Sequence, residues 1–288
     1  MPYSTSFAFD SVIVIESLRD SGRRTGHELF TKTLQPLGAH YGVGAEFHGV
    51  NTRRDLSTAL ASVVDAARMG RAPIVHLEMH GAESGLELAS GEVAEWSDMV
   101  SPLQEANQLT KMNLLVFAAS CHGWHMSDIL RPIDRSPAWA ILGPPDRVSA
   151  GSVFDAAADF YSALFSGQDL DSALRAMNAT SAIPDWDYRL QIADLLFCLV
   201  FRTYLDLFST EESREDRVSR LVVEFAREHS MDVLETAKFR QLAREQMNDD
   251  QFWYQRYKER FLYLDMFPQN SARFGIDFTN CAQMSRVA

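Results

Sequence analysis

An α/β fold, with a central and mostly parallel sheet flanked by helices and a mainly helical region after it, is predicted by three observations. Apolar runs of strand length alternate with stretches of helical spacing through the first half of the chain, the pattern of a doubly wound sheet. Two of those runs, PIVHLEMHG (73–81) and NLLVFAAS (113–120), are short and unbroken rather than alternating in polarity, as suits central parallel strands covered on both faces. From residue 187 onward apolar residues recur at three and four spacing. The chain therefore reads as a first domain over 1–183 and a helical C-terminal extension over 184–288 packed on it.

Strand 7–16 carries its apolar core at Val12 to Ile15, and the polar SLRDSGRR after it is a loop. Helix 26–41 places Leu29, Phe30, Leu34 and Leu37 near helical spacing, with Pro36 kinking or shortening it. Strand 43–50 leads to helix 53–69, capped by Thr52 or Asn51 and stopped at Gly70. After strand 73–81, short alternating segments around Ser90 and Gly91 predict a β-hairpin. Helix 97–109, strand 113–119 and strand 138–142 follow, the last ended by Gly143, Pro144 and Pro145. Helices 151–165 and 170–179 precede a junction at 180–187. Helices 188–208, 211–229, 233–247 and 251–267 make the extension, with an extended segment around 274–278.

Composition removes several function classes. No apolar run approaches the ~20 residues that cross a bilayer, and the N-terminus has no basic region followed by an apolar stretch and cleavage site, so a cytoplasmic protein without a membrane partner is expected. A formal charge of -12 argues against a nucleic-acid surface, which needs clustered Lys and Arg to neutralise phosphates. Cys121, Cys198 and Cys281 are scattered without CxxC spacing, which supports neither a disulfide framework nor a cysteine zinc site.

Chemistry gathers where the two central strands end. Ligands of open α/β sheets bind outside the carboxyl ends of the strands. There the second run breaks into Ser120, Cys121, His122 and Gly123, and the first ends in His80 and Gly81. On neighbouring parallel strands His80 and Cys121 project from one edge, the geometry that a thiol nucleophile and its acid/base partner require. His122 and His125 lie near the thiol, where one of them would help hold a thiolate electrostatically or both would be solvated loop residues. Glu78, two before His80, shares its strand face and is placed to orient it or to serve as a buried structural carboxylate. A metal reading of His76, Glu78, His80, His122 and His125 is weak. HLEMH is not H-E-x-x-H, and on a strand its two histidines stand about 13 Å apart. The deaminase pattern lacks its second cysteine.

A strand ending in His-Gly, then a strand ending in Ala119-Ser120-Cys121-His122-Gly123, resembles the caspase-like cysteine peptidases, a group that includes caspases, metacaspases, separases and bacterial relatives. Gly123 matches the caspase signature while Ala119 and Ser120 depart from it, and Ser-Cys-His followed by glycine is closer to the metacaspase form. The resemblance covers roughly residues 7–165. It implies a caspase-like sandwich and an endopeptidase in which Cys121 attacks a peptide carbonyl, His80 protonates the departing amine, and the N–H groups of Gly81 and Cys121 hold the oxyanion. No cofactor is implied. The partners implied are a protein or peptide substrate and an activating sensor protein or small-molecule signal, in the setting of bacterial defence or cell death.

The same resemblance builds the primary pocket from the region after the first strand, the position two before the cysteine and the loop after the next strand. Here those supply Glu16, Asp20, Ala119 and Asp146. Ala119 cannot pair a basic side chain as the metacaspase aspartate does. Glu16, Asp20 or Asp146 would receive Arg or Lys, Arg19 and Arg147 would receive Asp, and the acidic chain favours the basic residue. The short interval from Cys121 to Ala138 leaves little slack for an activation cut, so an active single chain is expected. Two alternatives stand beside the peptidase: a caspase-fold scaffold whose dyad is unused, and a hydrolase of another class, metal-dependent or using the same thiol.

Overall fold

The apolar runs become the middle of a sheet in the computed structural model, which describes residues 7–19, 22–167, 169–179 and 188–283. The chain divides into two compact units, Met1–Leu130 with Arg135–Ala193, and Arg131–Asp134 with Asp194–Ala288.

In the first unit β1 (Ser11–Ser17) is buried at every position, between β2 (Gly44–Gly49) and β3 (Pro73–Ala82). Beyond β3 come β6 (Leu115–Ala118), β7 (Ala140–Gly143) and β8 (Arg189–Ile192). All pair in parallel except β8, which runs antiparallel to β7. The hairpin after β3 is β4 (Gly85–Glu87) and β5 (Val93–Glu95), and β4 extends the end of β3. The register aligns His76 with Phe117, Phe117 with Leu142, and Leu142 with Leu190. That row fixes which residues reach the carboxyl edge together.

Helices cover both faces, because the strand order steps one way from β1 to β2 and the other way from β2 to β3 and β6, and right-handed crossovers then take opposite sides. α1 (Thr25–Leu29) and α2 (Gln35–Tyr41) pack with α5 (Ala150–Phe165), and α5 packs with α6 (Leu170–Ala179). α3 (Arg53–Arg68) packs with α4 (Trp96–Leu109). Thr52 caps α3 with a reciprocal Asp55 box, so both exposed ends of its first turn are bonded.

In the second unit, α7 (Ala193–Leu207) lays Phe197 and Phe201 on Tyr254 of α10 (Asp250–Phe261). α8 (Glu211–Glu228) and α9 (Val233–Met247) pair through Val218, Val222, Ala243 and Met247, with Glu215 bound by Arg240 and Arg244.

Local pattern and structure part in four places. The start of the helix expected over 188–208 is strand β8, since Arg189 to Ile192 bond to β7 and tertiary pairing outweighs the local spacing. A turn of π-helix, Phe30–Leu34, carries the chain into α2, where Pro36 sits in the first turn with no N–H to leave unbonded. The helix expected over 251–267 stops at Phe261, just before Tyr263 takes a left-handed φ of 56°. The tail adds a 3-10 turn, Pro268–Arg273, and a helix, α11 (Phe278–Gln283), on either side of 274–277, which forms no strand. The junction read at 180–187 lies outside the described residues.

The cysteines also depart from expectation. Cys198 of α7 and Cys281 of α11 form a disulfide between buried positions with Cα atoms 4.8 Å apart, a pairing hidden from local spacing by a separation of 83 residues. Cys121 is the free thiol. Thiol titration of the denatured, unreduced chain is expected to count one reactive group, and a count of three would remove the bond.

Candidate functional site

β3 and β6 are adjacent and parallel, so the residues at their carboxyl ends share an edge. His80 is exposed at the end of β3, and Cys121, half-buried, follows β6. Both line a cavity of about 230 Å³, with Ala119 and Ser120. The glycine after His80 is what lets the two strand ends close. A Cβ on Gly81 would stand 1.9 Å from the Cys121 carbonyl oxygen and 3.0 Å from the Ser120 Cβ. Gly81 is therefore packed directly against the Cys121 carbonyl, which brings the two strand ends together. Behind the thiol the chain turns through His122 in a left-handed conformation, φ 59°, into a 3-10 turn, Gly123–Ser127.

Val148 holds the Cys121 thiol. Its N–H donates to Sγ at 3.4 Å, and Sγ lies 3.6 Å from its carbonyl oxygen, to which the S–H donates.

Glu78 lines the cavity but is bonded elsewhere than to His80. Its Oε1 accepts from the Thr25 hydroxyl at 2.5 Å, and its Oε2 meets His76 Nε2 at 2.9 Å. His76 Nδ1 in turn reaches the Tyr161 hydroxyl at 3.2 Å. Burial, and then the Glu78 charge, push the Tyr161 phenol well above its ordinary range, which keeps it protonated. The carboxylate is thus part of a buried network joining β3 to α1 and α5. His125 pairs with Asp128 at 2.6 Å.

The carboxylates read as substrate-binding are placed differently. Glu16 is buried, its Oε2 accepting from Arg24 at 2.8 Å and its Oε1 from the His27 N–H at 2.9 Å, and it is absent from the cavity wall. Asp146 is exposed and outside the wall, its carbonyl accepting from the His122 N–H at 3.1 Å. Asp20 lies outside the described residues. Ala119 does line the cavity, and the charged side chains reaching it from the loop after β1 are Arg19 and Arg23. Each is already paired at the rim, Arg19 with Glu87 at 2.8 Å and Arg23 with Glu28 at 2.7 Å. Sequence reasoning weighed Arg19 but missed Arg23, which the run of arginines preceding Thr25 signals only once the loop path is known.

Among the described residues no three His, Cys, Asp or Glu side chains group as a metal site, and no helix is long and apolar enough to cross a membrane. The Ser120 hydroxyl, His122 Nδ1 and Tyr188 hydroxyl are buried without a partner among the described residues.

No protein-family model and no curated protein matches the chain. Among solved structures it is similar to a caspase-1 from Spodoptera frugiperda, at 12% identity and a TM-score of 0.42, over 66% of this chain and 89% of the other.

Proposed function

We propose that the chain is a caspase-like cysteine endopeptidase working through a Cys121–His80 dyad. The observation that carries the reading is the shared cavity at the carboxyl edge, in which His80 and Cys121 come from adjacent parallel strands and Gly81 lies against the Cys121 carbonyl. In this reading the thiol proton passes to His80 and Sγ adds to the substrate carbonyl. The N–H groups of Gly81 and Cys121 receive the oxyanion. The amine leaves with the proton from His80, and water releases the acyl group.

The wall of the cavity also supports a preference before the cut. Both oxygens of Glu78 are committed to Thr25 and His76, whereas Arg19 and Arg23 retain guanidinium donors beyond those paired at the rim. A carboxylate side chain suits that wall better than a cationic one. Cleavage of a mixed peptide library, with and without chelator, tests both points. Chelator-resistant cuts after Asp or Glu are expected. Cuts after Arg or Lys would sink the assignment of the wall, and chelator-sensitive cleavage would sink the dyad.

A further inference from the structure

The row that places the dyad also places a residue the mechanism has not used. His76, Phe117, Leu142 and Leu190 lie side by side across β3, β6, β7 and β8. One step toward the carboxyl edge, the parallel strands advance by two residues and the antiparallel β8 goes back by two, so the next row is Glu78, Ala119, Pro144 and Tyr188. One step further stand His80 and Cys121. Tyr188 thus belongs to the layer beneath the dyad, on the face that carries His76 and α5.

Its position is built. The Tyr188 N–H donates to Asn178 Oδ1 at 3.0 Å and its carbonyl accepts from Asn178 Nδ2 at 3.2 Å, which fixes the peptide to α6. The ring leans over β7 to meet Phe117 edge-on, centroids 5.9 Å apart, and so reaches the strand that ends in Cys121. The residue is 4% exposed, yet its hydroxyl has no partner among the described residues. Buried hydroxyls are nearly always bonded, and a phenylalanine would fill the same space without an orphan donor. The hydroxyl therefore asks for a function that the resting fold does not display.

We propose that Tyr188 is a positioning residue whose hydroxyl donates to the Cys121 thiolate as it forms, holding the sulfur off Val148 and aimed at the substrate. The inference rests on Cys121 being the nucleophile. The proton balance is simple: the thiol proton goes to His80, and Tyr188 keeps its own. Burial, followed by the charges of Glu78 and Cys121, drives the phenol pKa upward, so it remains a donor at every working pH. The other charged or titratable groups that line the cavity with the sulfur are Glu78 and His80 from β3 and Arg19 and Arg23 from the loop after β1, with His122 next to it in the chain. None of them changes when the Tyr188 oxygen is removed.

Tyr188→Phe in the full chain tests this. The pH profile of Cys121 alkylation by iodoacetamide reads the thiol directly, since Cys198 and Cys281 are bonded to each other. The profile is expected to move up by about one pH unit, which slows alkylation about tenfold near neutrality. Cleavage is expected to lose kcat by a similar factor with KM unchanged, and the melting temperature to stay level or rise. Replacing Tyr188 with a fluorinated tyrosine, a stronger donor, should move the profile the other way. An alkylation profile that coincides with wild type, or a fall in melting temperature without a shift in the profile, overturns the proposal. The alkylation readout stands even where no peptide is cut, so failure of the peptidase reading and failure of this inference are distinguishable.

Discussion

Cys121→Ala is expected to abolish peptide cleavage while leaving the fold intact. The side chain meets its surroundings mainly through the two Val148 contacts, which are weak sulfur bonds, so its removal changes little besides the nucleophile. His80→Ala should lower kcat by about 10²–10⁴-fold, the range over which a positioned acid/base group acts. Because in the proposed mechanism the two residues share one proton transfer, their effects should not add. The double variant should be no slower than Cys121→Ala alone, as happens when either member of a working pair stops the same step. His80 is exposed at its strand end and carries little packing, so circular dichroism and melting of all three variants should overlay wild type. Cleavage that survives Cys121→Ala removes the dyad. Full activity of His80→Ala with loss in Cys121→Ala would keep the thiol and reassign its base, with His122 the next candidate by position.

The features of the site that were legible in the sequence are those written in one strand at a time. The runs ending in His80 and Cys121 announce buried strands by lacking alternation, and a polar residue at the carboxyl end of such a strand is meaningful in any open sheet. Register was not legible. Whether Glu78 turns to His80 or to His76 depends on what α1 and α5 offer, and Thr25 and Tyr161 complete a network on the inner side. Glu16 was misplaced for the same reason: its face of β1 is roofed by α1, where Arg24 and the His27 peptide take both oxygens. β8 and the Cys198–Cys281 bond were hidden because each is decided by a distant partner, Leu142 in one case and the end of α11 in the other. Tyr188 belongs to this class, since the row that brings it beneath the thiol exists only once an antiparallel strand has joined a parallel sheet.

Gly81→Ala should cost activity out of proportion to its one added methyl. The new Cβ would stand 1.9 Å from the Cys121 carbonyl oxygen and 3.0 Å from its carbon, so what obstructs it is backbone, with no flexible side chain to swing aside. Either the end of β3 withdraws, taking His80 and the Gly81 N–H with it, or the Cys121 peptide moves away. Both outcomes separate groups that, in the proposed mechanism, converge on one carbonyl. A displacement near 1 Å is enough to lose about 10²-fold, and losing one oxyanion donor costs about 10²–10³-fold in kcat. Stability should fall as well, by about 1–3 kcal/mol for an overpacked contact. Gly91→Ala on the hairpin rim separates the two effects. That glycine has a φ of 88° with nothing within 4 Å of the added Cβ, so alanine there strains the turn without touching the site. Steady-state kinetics should show Gly91→Ala near wild type and Gly81→Ala reduced in kcat even at temperatures where both are fully folded. Equal losses in the two variants would mean that the close approach of Gly81 to Cys121 plays no part in the chemistry.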